Sequence, residues 1–179
     1  MSIDKIIKKN IVTIPNFPKK GIMFRDITSL LSNKYTFQKV INESCKLASD
    51  RKISKVVGID SRGFIFASAI AYKLKLPLIL IRKKNKLPGK TYSAKYTLEY
   101  GTDALEIKKN SIEKKDKVMI VDDLIATGGT SLAAASLIKK TNTKKIFFLF
   151  LIELIELGGV KKLKNHDIIS LSSYHENEQ

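Results

Sequence analysis

Short, uniformly apolar runs alternate along this chain with segments in which apolar residues return every three or four positions. "KVVGI" at 55–59, "LILI" at 78–81, "KVMIV" at 117–121, "KIFFLFLI" at 145–152 and "DIISL" at 167–171 predict strands buried on both faces. Between them, Phe37, Val40, Ile41, Ser44, Cys45 and Ala48 keep helical spacing and predict an amphipathic helix over 35–49. Residues 64–76 are apolar almost all round, which predicts a helix packed deep against a sheet and ended by Pro77. From Thr130 onward Ala133 stands over Leu137 and Ala134 over Ile138, the spacing of a further helix. A short helix at 3–9 would bury Ile3, Ile6 and Ile7; Pro15 and Pro18 then break the pattern, and "FPKKGIMFRDIT" at 17–28 reads as irregular.

Buried strands alternating with helices imply an α/β fold, an open parallel sheet with helices on both faces, in a single domain spanning 1–179. Segments near 94–100 and 104–108 alternate in polarity and are joined by "YGTD", a hairpin signature. The charged connection before them, "RKKNKLPGKTYS" at 82–93, holds Pro88 and Gly89 and reads as a flexible flap.

Composition narrows the classes of function. The formal charge of +16, from 33 Lys and Arg against 17 Asp and Glu, favours anionic partners. The excess is almost all lysine, spread along the chain in pairs such as Lys8-Lys9 and Lys161-Lys162, and no helix-turn-helix, zinc or aromatic RNA-binding pattern accompanies it. Small phosphorylated molecules are therefore favoured over nucleic acid. The single cysteine, Cys45, cannot form an intramolecular disulfide and suits a reducing compartment. The amino-terminal "MSIDKIIKKN" does not read as a secretory signal, and "IFFLFLI" at 146–152 falls far short of the roughly 20 residues that span a bilayer, so a soluble, cytoplasmic protein is expected.

The candidate chemistry lies in "VMIVDDLIATGGT" at 118–130, where a strand runs into two carboxylates and then a Thr- and Gly-rich loop. Ligands of open α/β sheets bind beyond the carboxyl ends of strands. The helix beginning near Thr130 offers free amides and the positive end of its dipole, Gly128 and Gly129 let the backbone curl around a phosphate, and Thr127 and Thr130 add hydroxyls. Asp122 and Asp123 would repel that phosphate, so they address another part of the ligand; vicinal sugar hydroxyls present donors that a carboxylate accepts. The spacing matches neither a Walker loop nor the dinucleotide fingerprint. A plainer alternative makes Asp122 a helix cap and Gly128-Gly129 an ordinary turn.

This stretch resembles the phosphoribosylpyrophosphate signature of the type I phosphoribosyltransferases. Together with "FPKKGIMFRDIT", "GIDSRGFIFA" and "IRKKNKLPGKTYSAKYTLEYGTDALEI", in that order, it resembles the family members that use adenine as the acceptor base. The resemblance implies that fold, with a small base-binding hood and a flexible flap at about 82–100. It also implies transfer of phosphoribosyl from phosphoribosylpyrophosphate to adenine, giving AMP and pyrophosphate. Ala126, Thr127, Gly128, Gly129 and Thr130 would hold the 5′-phosphate, with Asp122 and Asp123 on the ribose. Asp60, Ser61, Arg62 and Gly63 would hold pyrophosphate, Arg62 as its fork. Arg82, Lys83 and Lys86 from the flap would assist, and flap closure would exclude water. Phe24 would stack on the base, backbone atoms of Met23 and Arg25 would read its edge, and Arg25 would help close the site. Glu99 would handle a proton on the imidazole side of adenine. Mg²⁺ would be bound mainly through the diphosphate and water, with no direct protein ligand, and a homodimer is implied. One departure is Asn85, where many relatives carry glycine. Another acceptor base, or a non-catalytic phosphoribosylpyrophosphate-binding regulator, are the alternatives.

Overall fold

A computed structural model of the chain describes residues 1–97, 102–143, 145–175 and 178. Its core is a seven-stranded sheet whose strands lie in the order Thr91–Thr97, Thr102–Lys108, Leu78–Lys83, Lys55–Ile59, Lys117–Ile125, Lys145–Leu154 and Asp167–Tyr174. The chain enters through α1 (Ile3–Asn10), capped by the Ser2 side chain, with Asp4 in the first turn and Lys8 and Lys9 in the last, as the helix dipole favours. A two-stranded antiparallel hairpin follows, β1 (Val12–Pro15) and β2 (Met23–Asp26), in a sheet of its own. Then come α2 (Thr28–Ser32) and α3 (Lys34–Asp50), the latter capped by Asn33, whose side chain accepts from the amides of Tyr35 and Thr36.

The main sheet is built from β3 (Lys55–Ile59), α4 (Gly63–Leu74), β4 (Leu78–Lys83), β5 (Thr91–Thr97), β6 (Thr102–Lys108), β7 (Lys117–Ile125), α5 (Gly129–Lys139), β8 (Lys145–Leu154) and β9 (Asp167–Tyr174). Strands β4, β3, β7, β8 and β9 run parallel, whereas β6 pairs antiparallel with both β4 and β5. Alternate residues of the apolar runs feed opposite cores. Met119 and Val121 of β7 join Phe66, Ile70, Val40 and Ile41 on the α3/α4 side. Val118 and Ile120 join Ala134, Leu137 and Ile138 on the α5 side.

The strands and helices expected from periodicity are present, with four corrections. Residues 17–28 are not wholly irregular: Met23–Asp26 is a strand whose Phe24 pairs with Ile14. The connection at 82–93 is shorter than expected, because Arg82 and Lys83 continue β4 and β5 begins at Thr91. The sheet is mixed, since the hairpin β5–β6 adds antiparallel strands to one edge. Finally, α4 is not buried all round: Tyr72 is 89% exposed and Ile65 38%.

Candidate active site

The loops after β3 and β7 leave the sheet in opposite directions, since α4 packs on one face and α5 on the other. That divergence opens a crevice at the carboxyl ends of two adjacent parallel strands. A cleft of ≈ 360 Å³ lies there, a size that suits a small-molecule ligand. Its walls hold Asp60, Ser61, Arg62, Asp122, Asp123 and the loop Ala126–Ser131, with Lys83 and Tyr96 at one side.

Strand β7 continues beyond the apolar run, so Asp122 and Asp123 are strand residues, Asp122 paired with Phe150 of β8. The cap of α5 is instead Gly128, which makes no side-chain cap bond. The helix-cap reading of Asp122 is thereby excluded. Gly128 has φ +79, and a Cβ there would stand 2.8 Å from the Gly159 carbonyl oxygen. A left-handed residue packed against Gly159 delivers the chain into α5, whose first residues, Gly129 to Ser131, line the cleft.

The two carboxylates are held differently. Asp122 is half-buried and accepts a hydrogen bond from the Asp123 amide at 2.9 Å. Asp123 is 4% exposed, and its Oδ2 lies 2.9 Å from Arg62 Nη2. The ion pair lacks hydrogen-bond alignment, so this buried oxygen has no hydrogen-bond partner among the described residues. Burial and the charge of Asp123 push the Asp122 carboxyl well above the usual carboxylate range. Burial also raises Asp123, against the opposing pull of Arg62. A buried acceptor without a donor is costly, and a sugar hydroxyl is a donor of suitable size.

The neighbouring loop after β3 is pressed against β7. A Cβ on Gly63 would stand 2.7 Å from the Val121 carbonyl oxygen and 2.9 Å from Asp122 Oδ1, so only glycine lets the loop sit this close. The Asp60–Ser61 peptide within it is cis. Asp60 Oδ2 pairs with Arg82 Nε at 3.1 Å and accepts from the Lys83 amide at 3.4 Å, while Arg82 also donates to the Lys86 carbonyl at 3.4 Å. Arg82 thus ties this loop to the turn after β4. That turn holds Asn85 at φ 64, a left-handed position that glycine occupies without strain and asparagine tolerates better than most residues. Its amide donates to Glu106 at 3.1 Å.

The structure therefore brings Asp60, Ser61, Arg62, Gly63, Lys83, Asp122, Asp123 and Ala126–Thr130 to one place. Lys86 is exposed and outside the cleft wall. Met23, Phe24 and Arg25 stand beside the cleft on β2, joined to it by the Arg62 guanidinium, which lies 5.4 Å from the Phe24 ring centroid. Phe17 braces Phe24 edge-on at 5.0 Å. The Arg25 side chain is turned inward, 2% exposed, with its guanidinium 4.3 Å from the Tyr174 ring. Its guanidinium therefore does not face the cleft, and any part in the site falls to its backbone. Glu99 lies outside the described residues. Sequence reasoning missed Tyr96, whose hydroxyl donates to Asp103 at 3.3 Å and is pushed up to about 12 by burial and by Asp103. Its place in alternating β5, pointing to the same side as Ala94, was the available signal.

Comparison with known proteins agrees with this geometry. The profile of the phosphoribosyl transferase domain matches residues 26–173. An adenine phosphoribosyltransferase of Pelagibacter ubique is 51% identical over 157 residues, 88% of this chain and 90% of that protein. The crystal structure of the adenine phosphoribosyltransferase of Thermoanaerobacter pseudethanolicus is 43% identical, with a TM-score of 0.89 over 97% of this chain and 100% of that one. The Saccharomyces cerevisiae enzyme, crystallised with an imino-altritol bisphosphate and adenine, is 37% identical, with a TM-score of 0.90 over 94% of this chain and 98% of that one.

Proposed function

This chain belongs to the phosphoribosyltransferase family, and from that premise we infer that it is the adenine-using enzyme of purine salvage. It transfers the 5-phosphoribosyl group of phosphoribosylpyrophosphate to adenine, giving AMP and pyrophosphate. The observation that carries the residue assignments is the buried carboxylate Asp123, its Oδ2 without a hydrogen-bond donor, set between an anion-binding loop and Arg62.

Cleaving the bond at ribose C1 develops positive charge on the sugar and negative charge on the departing diphosphate. The amides of Ala126–Thr130 are assigned to the 5′-phosphate, and Asp122 and Asp123 to the ribose hydroxyls, where their negative charge also favours the cationic sugar. Arg62 is assigned to the diphosphate, so substrate binding exchanges its Asp123 partner for phosphate oxygens. Lys83, Arg82 and the loop Asp60–Gly63 add to that side; Lys86 would join only if the turn after β4 closed inward. Phe24 is assigned to stacking on adenine, with the backbone of Met23 and Arg25 at its edge. Glu99 is assigned to the proton on the imidazole ring.

Mg²⁺ is proposed to ride on the diphosphate and water. The donor set fits: Asp60 beside the pyrophosphate loop is engaged by Arg82, and the other two carboxylates are assigned to the sugar. When bound, the ion neutralises charge on the leaving group. The whole chain is proposed to act as one domain in the cytoplasm and to form a homodimer, which would cover the exposed Ile65 and Tyr72 of α4; light scattering on the purified protein tests the dimer. No described helix is long and apolar enough to cross a membrane.

The direct test supplies phosphoribosylpyrophosphate and Mg²⁺ with adenine, hypoxanthine, guanine or orotate in separate reactions. Nucleotide formation with adenine alone is expected; turnover with another base in its place would reassign the hood.

A further inference from the structure

We propose that Arg25 is a positioning residue for the base side of the site, a buried strut that ties the adenine-facing strand β2 to the carboxy-terminal strand β9 and to His175 just beyond it. The inference rests on the reading that β2 carries the base.

The hairpin β1–β2 forms a sheet separate from the main one, so among the described residues no ladder hydrogen bonds fix its position beside the cleft. Alternation along β2 sends Phe24 toward Arg62 and the cleft, and Arg25 to the opposite side. There the guanidinium meets three groups. It donates to the Thr13 hydroxyl of the paired strand β1, donates to the His175 carbonyl at 3.3 Å, and lies against the Tyr174 ring. Tyr174, the last residue of β9, is itself 2% exposed.

His175 and Glu178 are anchored in turn. Lys8 of α1 pairs with Glu178 and stands 5.2 Å from the same Tyr174 ring, and the His175 amide donates to Glu178 at 3.1 Å. The His175 ring meets Glu156 at 2.8 Å.

Among the described residues no carboxylate forms a direct ion pair with Arg25, Glu178 acting on it only at longer range, and its Nε and the Tyr174 hydroxyl are both buried without hydrogen-bond partners there. Burying a cation on these terms is costly, and an apolar side chain of similar length would fill the volume at less cost. What the guanidinium adds is direction: a planar fork held from three sides. Because the backbone of Met23 and Arg25 and the Phe24 ring share one four-residue strand, a small displacement at Arg25 is passed to the base-binding face.

The test is steady-state kinetics on purified Arg25→Met, Tyr174→Leu, Glu178→Gln and the Arg25→Met/Tyr174→Leu pair, after the parent protein has been shown to turn over adenine. For Arg25→Met the KM for adenine is expected to rise roughly ten-fold, the scale of one charge-assisted hydrogen bond, while KM for phosphoribosylpyrophosphate and kcat at saturation stay within about two-fold. Tyr174→Leu should move adenine KM in the same direction, and the pair should not exceed Arg25→Met alone, since both cut one strut. If Arg25→Met does not fold, Glu178→Gln, which leaves the core intact, decides. A selective rise in adenine KM of about two-fold or more supports the strut, on the scale of one partly exposed ion pair. An unchanged adenine KM in folded Arg25→Met, or in Glu178→Gln where Arg25→Met does not fold, or parallel loss of affinity for both substrates, overturns the proposal while leaving the enzyme assignment standing. A parent protein that does not use adenine overturns both.

Discussion

Replacing Asp122 by asparagine should make the protein more stable and a worse enzyme, with a pH dependence that identifies the cause. Both carboxylates of the pair are raised above their ordinary range, Asp122 by burial and by the charge of Asp123. A raised carboxyl means that the folded chain holds its proton more tightly than the unfolded chain does. Stability therefore falls as pH rises from the unfolded value, about 3.9, through the raised folded value, and the deficit is complete above it. The amide introduced by Asp122→Asn does not ionise, yet it keeps the Oδ1 acceptor that receives the Asp123 amide at 2.9 Å. At pH 7 to 8 the variant should melt above the parent protein, by about 2–4 °C for each kcal/mol relieved, and the two melting curves should converge toward about pH 4. Binding moves the other way. Exchanging a carboxylate for an amide at a ribose hydroxyl forfeits a charge-assisted hydrogen bond of about 1.5–3 kcal/mol, or roughly ten- to hundred-fold in affinity for phosphoribosylpyrophosphate. Circular dichroism melts across pH, with calorimetric titration of the sugar substrate, measure both quantities. A variant less stable than the parent at pH 7, or a stability difference that does not change with pH, would refute the assigned electrostatics.

Other substitutions separate the parts of the site. Gly63→Ala puts a Cβ 2.7 Å from the Val121 carbonyl oxygen and should destabilise the fold by about 1–3 kcal/mol while displacing the loop assigned to pyrophosphate, seen as a lower melting temperature and a higher KM for phosphoribosylpyrophosphate; an unchanged KM would mean that the loop absorbs the methyl. Arg62→Met should raise the same KM roughly ten- to hundred-fold. It should also shift the acid limb of substrate binding to higher pH, because Arg62 is what opposes the upward shift of Asp123; an unmoved limb would dissociate the two residues. Glu99→Gln should lower kcat by about 10²–10⁴ with little change in sugar-substrate affinity, and equal loss of both would argue against a proton-transfer role.

The fold was legible where burial on both faces leaves uninterrupted apolar runs, as in β3, β7 and β8. It was less legible where a strand is short or carries an ionic residue inward. Strand β2 is four residues, "MFRD", and its buried member is an arginine, so no apolar alternation marks it. Hydrophobicity alone likewise cannot say that α4 leaves Tyr72 uncovered, since exposure there depends on what else packs against the helix. In the site, the residue types at 122–130 announced a phosphate cradle beside two acceptors, but the partners that define the electrostatics are remote in sequence. Arg62 reaches Asp123 and Arg82 reaches Asp60 across the sheet, and no local pattern encodes those pairings. Arg25 is the sharpest case: family likeness pointed to its place near the base, while its side chain is spent on the interior.

The proposed assignments would explain why a chain sets two negative charges beside a Gly- and Thr-rich loop. On the proposed assignments the loop amides that would face the phosphate begin at Ala126, after β7 has ended at Ile125, so loop and carboxylates would address successive parts of one extended ligand. Amides in place of the aspartates would avoid the burial cost, but they could not favour positive charge developing on the sugar. Asp123 is held by a pairing that is electrostatic without being a well-aligned hydrogen bond, so its buried Oδ2 still has a hydrogen bond to gain. On these assignments the burial cost of the pair is local, lies where the chemistry is proposed, and would be offset by the substrate.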